Sequence, residues 1–227
     1  MERAGNRLLR VSGPERLGYE RALAAQMELL ERCHAGDGRE NFLMLVEHPP
    51  VITVGRSGGR ADVLADAAAL KRRAVEVVET NRGGKVTFHG PGQLVAYPVL
   101  DLRARERDLH RYLRDLEKWL IGLLRGYGIE AGVNPPHTGV WVDEAKIASI
   151  GIAVRHWISY HGIALNVSND LSFFDLIVPC GMPRVRMTSM AQLLGREPEL
   201  DEVAVRGARE FAATFGFERV SQEVAAK

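Results

Sequence analysis

The stretch RGGKVTFHGPGQLVAYPVL, Arg82 to Leu100, constrains the fold more than any other part of the chain. Its KVTF and LVAYPVL segments read as strands. Between them stands Gly90-Pro91-Gly92-Gln93. Proline fixes its own φ and lacks an N–H, and glycine favours sharp turns, so no helix crosses this point. The same stretch invites a phosphate-loop reading, which fails on context. A P-loop needs Gly-Lys followed directly by Ser or Thr, and here Val86 intervenes before Thr87. A dinucleotide fingerprint needs a following helix, and a strand follows instead. Two readings of the glycines stay open: a tight turn serving only the fold, or a side-chain-free wall beside a narrow slot.

The rest of the chain extends the sheet. FLMLVE and VITVG are strands joined by His48-Pro49-Pro50, which makes a turn or a crossing. Val75 to Val78 is a short strand. GVWV and AKIASIGIAV form a hairpin turning at Asp143-Glu144, and YHGIALNV returns as a third strand. A first helix is expected from near Pro14 to His34, with Leu17, Tyr19, Leu23, Met27, Leu30 and Cys33 inward. A second covers Arg105 to Tyr127, with a stripe of Leu109, Leu113, Leu116, Leu120, Leu123 and Tyr127. A third follows Leu200, starting near Asp201, with Val205, Ala208, Phe211 and Phe215 inward. Runs of strands with helices at the beginning, middle and end predict an α+β domain with a mixed or antiparallel sheet, not a doubly wound repeat. The 227 residues suit a single domain over 1–227.

Composition removes several function classes. Net charge is +1, so no global field draws the protein to nucleic acid or anionic lipid. No apolar run approaches the ~18 residues of a membrane span. The opening MERAGNRLLRVSG lacks the apolar centre of a secretory signal. Two distant cysteines, Cys33 and Cys180, make no disulfide scaffold. A cytoplasmic location is expected. Cys33 falls among the apolar helix positions and reads as a small buried hydrophobe.

Cys180 is different. It stands between Pro179 and Gly181 in LIVPCGMPRVRMTSM, just after an apolar segment. Pro179 biases Val178 toward an extended conformation. Gly181 lets the chain reverse, with backbone N–H groups facing a bound carbonyl. A cysteine so placed suits a nucleophile, but an ordinary thiol is only a few per cent thiolate at neutral pH. Its activator is left open between His89, His137, His161 and Lys146. Lys146 begins a strand right after the hairpin turn. The same histidines with Cys180 could ligate zinc in principle, but their spacing matches no familiar site and no HExxH is present, so no metal is expected.

RGGKVTFHGPGQLVAYPVLDL, KIASIGIAV, YHGIALNV and IVPCGMP, in this order, closely resemble the octanoyltransferases of lipoate biosynthesis. LVEHPPVITVGRSG looks like that family's first sheet hairpin. The likeness covers roughly Leu43 to Met190. It implies the α+β fold of the biotin/lipoate ligase catalytic domain, a mixed, largely antiparallel sheet flanked by helices. It implies transfer of an octanoyl group from acyl carrier protein, with no cofactor. The acceptor would be a lysine on a lipoyl domain of a 2-oxoacid dehydrogenase complex or of glycine-cleavage H protein. By motif, the cysteine that carries the acyl thioester falls on Cys180, and the lysine that lowers its pKa falls on Lys146. Substrate contacts fall on Arg82, Gly83, Gly84, Lys85, Val86, Thr87, Phe88 and His89, on Ser149, Ile150 and Gly151, and on Gly162, Ile163 and Ala164. Phe88 departs from the tyrosine often found before the HGPG. The resemblance sharpens the glycine wall into one side of an acyl slot, with His89 facing the carbonyl end. Arg184, Arg186 and the arginines of the middle helix are candidates for docking an acidic carrier. An ATP-dependent lipoate or biotin ligase, which has no need of Cys180, and a non-catalytic binder of acyl chains or lipoyl domains are the alternatives.

Overall fold

The computed structural model describes residues 7–36, 38, 40–105, 107–182 and 185–222. Arg184 lies outside them. In chain order the elements begin β1 (Leu8–Arg16), α1 (Tyr19–Ala35), β2 (Glu40–Glu47), β3 (Val51–Val54), α2 (Ala67–Arg72) and β4 (Glu76–Glu79). The glycine-rich stretch supplies β5 (Val86–His89) and β6 (Gln93–Val99), followed by α3 (Leu109–Arg125). Then come β7 (Gly132–Asn134), β8 (His137–Val142), β9 (Ala145–Arg155), β10 (Ile158–Asn166) and β11 (Arg186–Met187). The described chain closes with α4 (Met190–Leu194), α5 (Leu200–Phe215) and β12 (Arg219–Gln222).

A nine-stranded sheet runs β12-β1-β2-β6-β10-β9-β8-β7, with β11 beside β9, and a second sheet runs β4-β3-β5. The centre of the large sheet is antiparallel, while β1 pairs in parallel with both β2 and β12. This is the expected α+β, mixed and largely antiparallel architecture.

Strand alternation divides the large sheet's side chains between two cores. Leu43, Leu45, Leu94, Ala96, Ile163 and Leu165 face α3 and α5, where Leu116, Trp119, Leu120, Phe211 and Phe215 pack on them. Met44, Val46, Val95, Tyr97 and Ala164 face the other way, toward Leu17 and Ala22 at the start of α1. Coverage on both faces explains why FLMLVE reads as a continuous apolar run. The small sheet has its own core, in which Ile52, Val86 and Phe88 meet Phe174 and Ile177.

Four sequence expectations are corrected. Pro14 lies in a strand, β1, not in the first turn of a helix; α1 begins at Tyr19. The proline is tolerated because the β1–β2 register is broken by a bulge between Ser12 and Glu15. β2 and β3 do not form a hairpin. His48-Pro49-Pro50 carries the chain from the large sheet to the small one, and Gly90-Pro91-Gly92 carries it back. The two crossings are tied together, since the Gly92 N–H donates to Glu47 Oε1 at 2.7 Å. In α3 the buried stripe is Tyr112, Leu116, Trp119, Leu120 and Leu123, and Leu109 is exposed. In α5 Val205 is exposed, and Val203 and Ala204 face inward instead. Both phase errors came from aligning the stripe on leucine or valine where aromatic and alanine positions carry the packing. Among the described residues no helix is long and apolar enough to cross a membrane.

Candidate active site

Cys180 sits in a single 3-10 turn, Pro179–Gly181, with φ of 55°. A non-glycine residue in the left-handed region is uncommon and is held there by its surroundings. Pro179 is buried, and the Val178 N–H donates to Asp62 O at 2.7 Å. The Gly181 N–H donates to Val178 O at 3.0 Å and the Met182 N–H to Pro179 O at 2.9 Å. These amides close the turn, which corrects the expectation that the Gly181 amide faces a bound carbonyl. Lys85 comes in over this turn instead: a Cβ on Gly181 would lie 2.6 Å from its Nζ.

The Lys146 ammonium donates to Cys180 Sγ at 3.2 Å. Its backbone is fixed from both sides, by pairing with Trp141 of β8 and with Met187 of β11. The side chain passes Gly139 so closely that a Cβ there would stand 2.6 Å from Cε. The Nζ lies 5.5 Å from the centroid of the Trp141 ring. Lys146 is only 2% exposed, and among the described residues Sγ is the one hydrogen-bond partner of its ammonium. A buried ammonium requires a counter-charge or strong acceptors. The sulfur is the group placed to supply one. Of the four candidate activators, only Lys146 touches Cys180.

These residues open on a cavity of about 330 Å³ between the large sheet, the small sheet and α1. Its lining includes Arg82, Gly83, Gly84, Lys85, Val86, Thr87, His89, Ser149, Ile150, Gly151, Gly162, Ile163 and Ala164 together with Cys180 and Lys146. The structure therefore gathers into one cavity every catalytic and substrate-contact residue that the resemblance implied, except Phe88. Phe88 alternates to the opposite side of β5, stacked on Phe173 at 4.6 Å and edge-on to Phe174 at 5.8 Å. A phenolic hydroxyl at that position would enter an apolar core.

The glycines on the wall allow backbones to approach. A Cβ on Gly151 would stand 2.9 Å from Gly83 O, and one on Gly162 would stand 2.0 Å from Ala96 O. The wall itself is clamped by Arg82. Its Nη1 donates to Gly83 O at 3.0 Å, and its Nη2 to Lys85 O at 2.8 Å and Thr53 O at 2.6 Å. Its Nε donates to Thr53 Oγ1 at 3.1 Å. With the bond from Nη2 to Thr53 Oγ1 at 2.9 Å, five neutral-acceptor bonds hold a buried guanidinium whose pKa burial pulls below the ordinary range.

Around His89 stand rings that the sequence did not mark as part of the site. Tyr19 stacks on His89 at 6.3 Å, and His48 lies 5.8 Å from His89 and 5.9 Å from Tyr97. His89 Nδ1 donates to Gln93 Oε1 at 2.8 Å. On its other side, His89 Nε2 lies 3.5 Å from Thr53 Oγ1. His161 holds φ of 56° within β10, and its N–H turns to Gln26 Oε1 at 2.8 Å. Its Nε2 bonds Asn81 Oδ1 at 2.7 Å.

Burial keeps these imidazoles neutral. His89 is pushed down to about 3 by burial and then by neighbouring His48; His161 is pushed down to about 4 by burial and then by Arg82. His48 is lowered by burial too. Unfolded, such rings protonate near 6.5. Between pH 6.5 and about 4 the unfolded chain therefore binds more protons, and stability falls as pH drops. The two rings give a slope on the order of 2 kcal/mol per pH unit near pH 5. Urea midpoints measured at pH 7, 6 and 5 should fall steadily; a flat profile would mean the rings are already charged in the folded protein.

Cys33, the other free thiol, is 1% exposed and pushed up to about 12, chiefly by burial. It is the inert core residue expected. Arg186, a docking candidate, pairs with Glu144 at 3.1 Å.

The comparisons with known proteins agree with this geometry. The model of the lipoyl protein ligase A/B catalytic domain matches residues 18–212. An octanoyltransferase of Solibacter usitatus is 50% identical over 203 residues, 89% of this chain and 91% of that protein. An octanoyltransferase of Thermoanaerobacter sp. is 45% identical over 87% of this chain and 86% of its own. At the level of fold alone, a lipoate-protein ligase A bound with ATP superposes with a TM-score of 0.76 at 20% identity, over 97% of this chain and 90% of that one. A bipartite lipoate protein ligase from Thermoplasma acidophilum gives 0.71 at 21% identity, over 97% and 88%. With a cysteine–lysine pair on the cavity wall and these relatives over most of its length, the chain belongs to the lipoyl protein ligase A/B catalytic-domain family and, within it, to the octanoyltransferases.

Proposed function

We propose that this acyltransferase takes octanoyl from the thioester of acyl carrier protein, holds it on Cys180, and delivers it to a lysine of a lipoyl domain. The observation that carries the reading is the part-buried contact of 3.2 Å between Lys146 Nζ and Cys180 Sγ. In this reading the whole chain is one catalytic domain, and no cofactor takes part.

In the first half-reaction the Cys180 thiolate, held by the Lys146 ammonium, attacks the donor carbonyl. A new C–S bond forms, the carrier's C–S bond breaks, and the carrier leaves as a thiol after taking up a proton. One thioester replaces another, so no ATP is needed. With the Gly181 and Met182 amides engaged in the turn, the developing oxyanion is met by the Lys85 ammonium over Gly181. The acyl tail lies along the cavity floor. Its burial at about 0.8 kcal/mol per methylene supplies about 5 kcal/mol of binding.

In the second half-reaction the acceptor amine attacks the acyl-cysteine. An amide forms, and Cys180 leaves as the thiolate. In this reading the proton taken up by the departing carrier thiolate comes from the Lys146 ammonium, which is left as the amine beside the uncharged acyl-cysteine. That amine then takes the proton from the attacking lysine. Lipoyl domains of 2-oxoacid dehydrogenase complexes and the glycine-cleavage H protein are the acceptors this chemistry fits. Two free thiols fit work in the reducing cytoplasm.

Intact-mass analysis after mixing with octanoyl carrier protein, without ATP, tests the reading. One octanoyl group should appear on the enzyme, mapped to Cys180. An adduct on Cys33, or one that forms only with ATP, would sink it and favour the ligase chemistry.

A further inference from the structure

The depth of the slot can be read from the register of the strands that floor it. Ser149 of β9 pairs with Ala164 of β10, and Ala164 pairs with Val95 of β6. These three stand in one row across the sheet. Gly151 pairs with Gly162 in a second row. Side chains two positions apart share a face, so Tyr97 stands on the same face as Val95. On β9 and β10 the floor is therefore Ser, Gly, Gly and Ala. The first large side chains rise on β6, at Val95 and Tyr97, both fully buried and both on the cavity wall.

Lys146 brings the reacting sulfur to the β9 side of this floor. From β9 to β6 is two strand spacings, about 9.6 Å. An extended eight-carbon acyl group has seven C–C bonds, each advancing about 1.3 Å, and is about 9 Å long. The bare part of the floor is one octanoyl chain deep.

Tyr97 is also braced against displacement. The Tyr97 O–H donates to His48 Nε2 at 2.7 Å. His48 Nδ1–H donates to Leu17 O at 2.6 Å, which fixes the tautomer and makes Nε2 the acceptor. The Leu17 N–H is in turn held by Glu47 O at 3.0 Å. Behind the ring, Met44 of β2 pairs with Tyr97 itself. A methyl end reaching β6 meets a ring with no freedom to swing away.

We infer that Tyr97, locked by His48, is the stop that sets acyl chain length. The inference rests on the acyl slot proposed above. Its test is the relative kcat/KM for hexanoyl, octanoyl, decanoyl and dodecanoyl carrier protein. Tyr97→Ala should raise the decanoyl-to-octanoyl ratio tenfold or more. His48→Gln, which leaves the ring in place but unlocks it, should raise the ratio less, by about threefold. Ala164→Val, which raises the floor on β10, should move the optimum the other way, toward hexanoyl. Opposite shifts are not produced by a general loss of packing. If the native protein uses octanoyl and none of the three variants changes the chain-length profile, the stop lies elsewhere. If the native protein transfers no acyl group of any length, the reading of the site itself fails.

Discussion

Cys180→Ser should lower octanoyl transfer by about a thousandfold or more, with no acyl-enzyme in the mass spectrum. The reason lies in ionisation. A serine hydroxyl has the size of the thiol but stays protonated at neutral pH, so the Lys146 ammonium has no anion to hold and the donor thioester meets a weak nucleophile. The fold should survive. Cys180 is only partly buried, and the strained backbone of its turn is held by Pro179, Gly181 and the bond from Val178 to Asp62, none of which needs sulfur. A melting temperature within a few degrees of the native value, together with lost single-turnover transfer, separates chemistry from folding. Activity within tenfold of native would mean that acyl groups pass directly from carrier to acceptor, and the covalent route would be wrong.

The parts of this site differ in how far the sequence exposed them. The hairpin from His137 to Arg155 and its return in β10 were legible because Asp143-Glu144 breaks two β-rich runs at the right place, and strand period does the rest. Cys180 and Lys146 were each recognisable as candidates. Their contact was not, since 34 residues separate them and β11 must lie beside β9 to bring the turn in. β1 was hidden by Pro14, which in isolation marks a helix start; only the long-range pairing with β2 and β12, with its bulge, makes a strand of it. The two proline turns looked local. They are crossings between sheets, and no local signal tells a hairpin from a crossing. The closed end of the slot was illegible for the same reason. Tyr19, His48, His89 and Tyr97 come from a helix, a turn and two strands in different sheets; His89 stood out in the sequence, but Tyr19, His48 and Tyr97 each alone look like ordinary core residues. What the glycines of Arg82–Gln93 announced was a close backbone approach, and the partner backbones are those of Gly151 and Ile152: the Gly83 N–H donates to Ile152 O at 2.8 Å.

Lys146→Met should be as stable as the native protein, or more stable, and nearly inactive. At 2% exposure the ammonium sits where an apolar side chain of similar length fits, and a neutral thiol at Cys180 leaves no buried charge without a partner, the situation in which breaking a pair is costly. The sulfur, however, loses its only charged partner in hydrogen-bond reach among the described residues. Alkylation of Cys180 by iodoacetamide at pH 7 should slow by tenfold or more, and formation of the acyl-enzyme by about a hundredfold, a difference of about 2.7 kcal/mol in the barrier. Lys146→Arg should not rescue either rate. The chain is threaded past Gly139 with a separation that leaves no room for a Cβ, and a planar guanidinium cannot occupy the position of a compact ammonium between the Trp141 ring and Sγ. If Lys146→Met alkylates at the native rate, the lysine has no part in activating the thiol. If instead it is destabilised by several kcal/mol, the ammonium is a structural element whose contact with sulfur serves the fold. A more stable, less reactive variant is the outcome that identifies the pair as a feature kept for chemistry at the expense of stability.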